Sequence, residues 1–318
     1  VEKTHLTVDK KSPKIIINAP QLNLGKTAVV KGKQIKVESS VPLSYAQNDK
    51  LKQADRLNER ARQLYQQGKY SEAISIAQKI LDIREKALGP GHLDVAYDLG
   101  NLAEIYSSLG EYSKAEPLHK RSRAILEKVL GLNHLYVAYS LSKLAGIYKP
   151  LGDYTKAESL YKRSLAIREK IFGPDHLKVA STLNNLATFY FDLGEYAKAE
   201  PLFKKSLAIT SKALGPDHPD VALSLNNLAE LYRSLDDYTK AEPLYQRALA
   251  IWEKSLGPDH RNVAYSLNNL GLLYQTLGDY AKAEPLLKRS HSIWEKDFGP
   301  YHPKVAVSLS NLGLLYQA

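Results

Sequence analysis

Residues 220–260 have the sequence DVALSLNNLAELYRSLDDYTKAEPLYQRALAIWEKSLGPDH, and variants of this sequence recur along the chain every 42 residues. Six histidines keep this interval: His92, His134, His176, His218, His260 and His302. Six tyrosines keep it as well: Tyr106, Tyr148, Tyr190, Tyr232, Tyr274 and Tyr316. A period of this length predicts one stacked array, in place of the two or three globular domains that 318 residues would otherwise suggest.

Each copy predicts two helices joined by a short turn. In both halves the apolar residues are three or four positions apart, which places them on one face of a helix. The first stripe comprises Val221, Leu225, Leu228, Ala229 and Tyr232, and the second comprises Ala241, Leu244, Tyr245, Ala248, Leu249 and Trp252. Thr239 and Glu242 have the spacing of a capping box and predict the start of the second helix. Gly257 predicts a left-handed residue at its end, and Pro258 prevents the helix from continuing.

A single helix pair cannot bury both stripes, whereas stacked pairs can. We therefore predict an all-α solenoid over residues 49–318, with six helix pairs and a final unpaired helix. That last helix, Lys304 to Ala318, is as apolar as the internal first helices, although a terminal cap would have a polar outer face. We expect that the natural protein continues beyond Ala318 or that this end packs on another molecule, which includes self-association.

Residues 1–48 have a different composition and are predicted to form a separate N-terminal segment. They contain eight lysines and three acidic residues, so they carry half of the net charge of +10. Short β-prone runs lie at 14–18, 27–30 and 35–38, between prolines, glycines and asparagines. The pattern fits a short β-hairpin and an extended, flexible tail equally well.

The composition excludes several classes of function. Because the chain has no cysteine, it has no disulfide, no thiolate metal site and no cysteine nucleophile. No stretch contains 18 uninterrupted apolar residues, so we predict no membrane span. Glycine-rich phosphate loops and catalytic sets of serine, histidine and aspartate are missing from the sequence. We expect no catalytic residue, no metal, no cofactor and a cytoplasmic location.

The periodic histidines are expected to be structural. Helices of neighbouring repeats lie about 10 Å apart, whereas a metal ion needs nitrogen ligands at about 2.0–2.1 Å. Their Gly-Pro-Asp neighbours predict a role in turns and helix caps. His119 stands where other copies have Tyr161, Phe203 and Tyr245, which predicts packing against the neighbouring repeat. The periodic tyrosines are expected in the core, with their hydroxyls bonded to turn carbonyls.

The pattern Leu-x2-Leu-Ala-x2-Tyr, followed by Leu-Gly-Asp-Tyr-x2-Ala, resembles the tetratricopeptide repeat. The 42-residue period, with Leu-Gly-Pro-Asp-His between copies, is similar to the repeats of kinesin light chains and their prokaryotic relatives. The resemblance extends over about residues 50–318 and implies a right-handed α-solenoid whose first helices line a concave groove. Kinesin light chains also have a heptad coiled coil before their repeats, and this sequence shows no heptads there.

In that family an asparagine of each first helix binds the backbone of an extended peptide. The equivalent positions here are Asn101, Lys143, Asn185, Asn227, Asn269 and Asn311, and Asn184, Asn226 and Asn268 lie one residue earlier. Asparagine has both an amide donor and a carbonyl acceptor, as recognition of a backbone requires. The alternative is that these amides bond between repeats. Further groove positions implied by the resemblance are Tyr97, Tyr139, Phe191, Arg233 and Tyr265.

The charged positions of the implied groove nearly cancel, so the expected ligand is not a polyanion. We therefore expect a non-catalytic scaffold that binds extended peptide segments of other proteins, like the cargo and adaptor binding of kinesin light chains. Nucleic acid and membranes are not expected partners. The alternative is the sensing or regulatory arm of a larger prokaryotic effector, such as a caspase-like (CHAT) protease. The segment 1–48 is itself a candidate to fold back into the groove.

Overall fold

The computed structural model describes residues 28–30, 33–35 and 44–317, and thirteen helices account for most of them. In chain order they are α1 (Tyr45–Gln66), α2 (Tyr70–Leu88), α3 (Leu93–Ser108), α4 (Tyr112–Leu130), α5 (Leu135–Tyr148), α6 (Tyr154–Phe172), α7 (Leu177–Asp192), α8 (Tyr196–Leu214), α9 (Pro219–Ser234), α10 (Tyr238–Leu256), α11 (Arg261–Thr276), α12 (Tyr280–Phe298) and α13 (Pro303–Gln317). The predicted all-α array of consecutive helix pairs is confirmed.

Two short strands precede the helices. β1 (Ala28–Val30) and β2 (Lys33–Ile35) pair antiparallel, so that Ala28 lies opposite Ile35. The other positions of 1–43 lie outside the described residues, and so does the predicted return of this segment into a groove. Helix α1 begins at Tyr45, four residues before the predicted start of the solenoid at residue 49, because Ser44 caps it. The Gln47 N–H donates to Ser44 Oγ, and the Ser44 N–H donates to Gln47 Oε1.

The chain forms two compact units, residues 1–157 and 158–318, and the boundary falls inside α6. In the first unit, each of the helices α1 to α4 packs on the next helix along the chain. In the second unit, the helices from α7 to α13 do the same, and the first helices α7, α9, α11 and α13 also contact one another in order. Within each unit, consecutive helix pairs therefore pack as in a tetratricopeptide-repeat solenoid.

The periodic histidines cap the first helices, as predicted. The Nδ1 atom of His218 accepts the backbone N–H of Asp220 at 3.1 Å, so the imidazole satisfies one of the free donors at the start of α9. The same bond is made by His92, His134, His176, His260 and His302. The prediction of a capping role is confirmed.

The second helices start earlier than the capping-box spacing predicts. Helix α10 begins at Tyr238, and the carboxylate of Asp237 accepts the N–H of Lys240 at 3.3 Å. The prediction that Thr239 caps this helix was wrong, because Asp237 takes that position and Thr239 donates its own hydroxyl to it. At the other end Gly257 has the predicted positive φ of 89°, but its ψ of 157° lies outside the left-handed helical region.

The periodic tyrosines bond to glutamates and not to turn carbonyls. In the second unit each hydroxyl donates to a glutamate at the start of the preceding second helix, and these contacts are called the tyrosine–glutamate ladder below. Its bonds are Tyr190 to Glu158 at 2.7 Å, Tyr232 to Glu200 at 2.9 Å and Tyr274 to Glu242 at 2.6 Å. The rings of these three tyrosines are buried as predicted, and their hydroxyls link one helix pair to the next. Tyr316 also donates to Glu284, at 2.9 Å, but its ring is 62% exposed, so the prediction of a buried ring was wrong there.

Candidate functional site

In the second unit, asparagines of successive first helices form a hydrogen-bonded row, which we call the asparagine ladder. It comprises Asn184 and Asn185 on α7, Asn226 and Asn227 on α9, Asn268 and Asn269 on α11, and Asn311 on α13. The amide bonds of this row run from Asn227 to Asn184 at 2.9 Å, from Asn269 to Asn226 at 3.4 Å, and from Asn311 to Asn268 at 2.8 Å. The side chains thus bond between repeats, which is the alternative that the sequence left open.

These bonds use only part of what the ladder offers. Each side-chain amide has two N–H donors and an oxygen with two lone pairs, and each step of the ladder uses one donor and one acceptor. Asn185 is exposed, and Asn226 and Asn227 are half-buried. The bonds between repeats orient the amides and leave them the capacity for further hydrogen bonds.

Apolar side chains accompany the ladder on the same helices. Leu223 is 50% exposed and lies three and four residues before Asn226 and Asn227 on α9, so it shares their helix face. Val307 has the equivalent position on α13 and is equally exposed. A ligand on this face would therefore meet a row of amides bordered by apolar contacts.

Tyr265, which was predicted to line the groove, packs partly into the core. Its ring meets the buried Trp294 edge-on, with ring centroids 5.3 Å apart, and the Nζ atom of Lys304 lies 4.9 Å from the Tyr265 centroid. Phe191 packs against Tyr196, with centroids 5.6 Å apart. Both predicted aromatics are half-buried and held by neighbouring side chains.

Arg233 is held by a carboxylate of its own helix. Glu230 accepts a bond from Arg233 Nε at 3.1 Å and another from the hydroxyl of Tyr245 at 2.5 Å. Burial alone would raise the pKa of Glu230, but the hydrogen bonds from Arg233 and Tyr245 hold that pKa below its usual range. Since Glu230 neutralises the guanidinium, this pair of side chains carries no net charge.

In the first unit, three of the predicted residues surround one pocket of about 60 Å³, which we call the α3–α5 pocket. Tyr97 and Asn101 line it from α3, and Tyr139 lines it from α5. Tyr136 also lines the pocket, and its ring meets that of Tyr97 edge-on with centroids 5.2 Å apart. Burial raises the pKa of the Tyr97 hydroxyl, which therefore stays protonated at neutral pH.

Lys143, which interrupts the asparagine series, is part of a polar cluster beside this pocket. Its Nζ atom lies 2.6 Å from Glu104 Oε2 and 5.4 Å from the ring centroid of Tyr139. Burial opposes the charge on both side chains, but their attraction leaves the pKa of Lys143 raised. The contacts of Glu104 with Lys143 and with His119 leave the pKa of Glu104 lowered. The ion pair therefore persists at neutral pH.

Sequence reasoning missed the part that His119 plays in this pocket. The imidazole is buried, as predicted, but it lines the α3–α5 pocket, and its Nε2 atom lies 3.4 Å from Glu104 Oε1. The side chain therefore meets a carboxylate of its own helix pair in addition to the neighbouring repeat. The sequence contained one signal of this role: His119 departs from the repeat, because other copies have Tyr161, Phe203 and Tyr245 at the equivalent position.

No other chemistry stands out in the part of the chain that the structure describes. Within residues 44–317 no group of three or more histidine, aspartate or glutamate side chains is arranged to hold a metal ion. None of the helices described is long and apolar enough to cross a membrane. The asparagine ladder and the α3–α5 pocket contain most of the residues predicted for the groove and are therefore the candidate sites.

Comparisons with known proteins agree with this architecture. The sequence matches the tetratricopeptide repeat family over residues 53–128, 136–188, 178–251, 220–291 and 267–318. No curated protein sequence matches it.

Several solved structures are similar. A Podosopora anserina protein of kinesin light chain type with nearly identical TPR-like repeats is 27% identical, with a TM-score of 0.55 over 65% of this chain and 97% of that one. BtubC (BKLC) from P. vanneervenii is 25% identical, with a TM-score of 0.57 over 82% of this chain and 95% of its own. Aspartyl phosphate phosphatase F from Bacillus subtilis, at 18% identity and a TM-score of 0.60 over 84% and 68% of the two chains, shares the fold alone.

The 42-residue period, the stacked helix pairs and the family match over most of the chain lead to one conclusion. The chain belongs to the tetratricopeptide repeat family, and kinesin-light-chain-type proteins are among its structural neighbours.

Proposed function

We propose that this chain is a non-catalytic protein-interaction scaffold whose first helices hold an extended segment of a partner protein. The tetratricopeptide repeat fold typically serves protein interaction, because stacked repeats present a long continuous surface. The observation that carries the finer proposal is the asparagine ladder, a row of aligned amides on four neighbouring helices of the second unit.

The spacing of the ladder suits an extended backbone. Neighbouring packed helices lie about 10 Å apart, and an extended chain advances about 3.3 Å per residue. One step of the ladder therefore corresponds to about three residues of a bound segment. In an extended segment with three residues per turn, such as polyproline II, every third residue would present the same backbone groups to the ladder, whatever the ligand side chains are.

Side-chain preference comes from what surrounds the ladder. Exposed Leu223 and Val307 offer apolar contacts to a ligand. Arg233 is paired with Glu230, so no uncompensated charge there favours an acidic or a basic segment. We therefore propose that the second unit binds uncharged segments with some apolar side chains.

To test this proposal, binding peptides are first selected and their affinities are then compared between the wild-type chain and a variant of the asparagine ladder. Seven-residue peptides would be selected on the whole chain by phage display, and their affinities measured by fluorescence anisotropy. The triple variant Asn185→Ala, Asn227→Ala, Asn269→Ala removes one amide per step, so we expect at least a tenfold loss of affinity. Methylating alternate backbone amides of the peptide should weaken binding by a similar factor, because the ladder contacts the backbone.

A matched control changes three exposed residues of the same repeats outside the ladder. Lys212, Lys254 and Lys296 lie near the ends of α8, α10 and α12, one in each repeat. Replacing all three with glutamine should leave the affinity within about twofold. If the ladder variant keeps its helical circular dichroism and binds the selected peptides with unchanged affinity, the proposal is wrong.

A further inference from the structure

The α3–α5 pocket exists because the repeat that contains α3 and α4 lacks a side chain that the repeats of the second unit have. Gly100 stands where the second unit has Asn184, Asn226 and Asn268, so no side chain fills the space beside α4. A Cβ atom on Gly100 would lie 3.6 Å from Ser122 Oγ, which is an ordinary contact. The backbone at Gly100 therefore does not require glycine, and the missing side chain leaves room for something else.

Two buried polar atoms on the walls of this pocket have no hydrogen-bond partner. His119, on α4, is 2% exposed, and its Nε2 atom makes no hydrogen bond although it lies 3.4 Å from Glu104. Ser140, on α5, is 4% exposed, and its Oγ atom is equally unpartnered. A buried polar group without a partner is costly, and both of these belong to side chains that line the same pocket.

The pocket is neutral. The carboxylate of Glu104 is paired with Lys143, with Oε2 and Nζ 2.6 Å apart. A charged group entering the pocket would lose its hydration without finding a counter-ion. His119 Nε2 and the hydroxyl of Ser140 can each donate or accept, depending on tautomer and rotation.

We infer that the α3–α5 pocket receives a carboxamide, the side chain of an asparagine or glutamine in a bound partner segment. A carboxamide has a donor and an acceptor in one plane, and so can satisfy His119 and Ser140 together. A volume of 60 Å³ is that of about two water molecules, which suits a planar group of three heavy atoms. Asn101 lies at the same pocket and adds a further amide contact. This inference rests on the proposed function, since it assigns one anchor of the segment that the scaffold binds.

The test uses three small probes of similar size on the whole chain: propionamide, propionate and propylammonium. The readout is the imidazole resonance of His119 in long-range ¹H–¹⁵N spectra, identified by its loss in the variant His119→Phe. Propionamide should shift this resonance saturably, in the millimolar range. Propionate and propylammonium should require at least tenfold higher concentrations for the same shift.

Filling the pocket provides the control. Gly100→Asn introduces the side chain that the second unit has at this position, and should weaken the propionamide response at least tenfold. If that variant loses its helical circular dichroism, Leu126→Trp fills the same pocket with the residue found at Trp252 and Trp294. The exposed variant Lys212→Gln, in the other unit and outside the asparagine ladder, should leave the response unchanged.

Three results would overturn the inference. The first is the absence of a saturable shift, which would mean that the pocket holds water only. The second is an equal response to propionate. The third is a shift that persists when the pocket is filled. Failure of the ladder variant to weaken peptide binding would refute the proposed function and leave the probe titration unaffected. Conversely, loss of the propionamide response alone would refute only the pocket.

Discussion

Arg84 joins carboxylates of two helices in the first unit. Its guanidinium donates to Asp55 on α1 and to Asp98 on α3, both at 2.7 Å. Asp98 is 3% exposed, and its second oxygen has no hydrogen-bond partner. Burial raises the pKa of Asp98 to about 7, against the attraction of Arg84 and with the help of the negative charges of Asp94 and Asp55. A carboxylate with one unsatisfied buried oxygen is easily protonated there.

The variant Asp98→Asn should remove a pH dependence of stability. Because the folded-state pKa of Asp98 is raised above the unfolded value, the folded state binds more protons, and its stability falls as the pH rises from about 4 towards 7. We expect the wild-type chain to lose about 2 kcal/mol of unfolding free energy between pH 5 and 8 relative to the variant. Urea unfolding across this range measures it. Parallel curves for the two chains would contradict the assignment.

Gly257 has a conformation that only glycine adopts easily. Its φ of 89° and ψ of 157° are strained for a residue with a Cβ atom, although that atom would meet nothing within 4 Å. Gly257→Ala should therefore lower the unfolding free energy by about 1–3 kcal/mol through backbone strain. Gly194→Asp is the control, because Asp236 already occupies the equivalent turn with a φ of 57°, and it should cost about 1 kcal/mol or less. Equal shifts of the urea midpoint would refute this explanation.

At the scale of the helices, polar ladders link one repeat to the next, and the tyrosine hydroxyls bond to glutamates of the preceding helix pair in place of the expected turn carbonyls. The phenol of Tyr232 reaches back from α9 to Glu200 on α8, and Lys240 lies with its Nζ atom 5.1 Å from the centroid of the same ring. Glu200 is also paired with Lys204 in its own helix. Each step therefore binds a helix pair to its neighbour through a hydrogen bond to a charged group.

Tyr232→Phe keeps the buried ring and removes only the hydroxyl. We expect it to lower the unfolding free energy by about 1 kcal/mol, the order of a partly exposed hydrogen bond. A double-mutant cycle with Glu200→Gln should show a coupling of similar size, because the two groups touch. Tyr280→Phe, at an exposed tyrosine of α12, is the control and should change stability by less than about 0.5 kcal/mol. Zero coupling would mean that the bonds of the tyrosine–glutamate ladder orient the helices but do not stabilise the fold.

For the whole molecule, the sequence predicts most of the fold because the 42-residue period and the apolar stripes are regular. The starts of the second helices were harder to predict, because Asp237 and Thr239 could both cap the same helix and the sequence does not show which one does. At the candidate site, the family resemblance placed the asparagines on one face. Their mutual bonds depend on side-chain orientation, which the sequence does not reveal. The α3–α5 pocket results from the absence of a side chain at Gly100. Sequence patterns are defined by the residues that are present, so they do not reveal such a space.

The charge of the whole chain provides the last prediction. A net charge of +10 would favour nucleic acid if it faced the ligand, but half of it lies in residues 1–48 and the ladder side chains are neutral. The affinity of a selected uncharged peptide should therefore change less than about twofold between 50 and 200 mM salt. A ligand held by six or more phosphate contacts would lose about a thousandfold over the same range. Anisotropy titrations at several salt concentrations measure the slope. A steep fall would mean that basic residues outside the ladder hold the peptide.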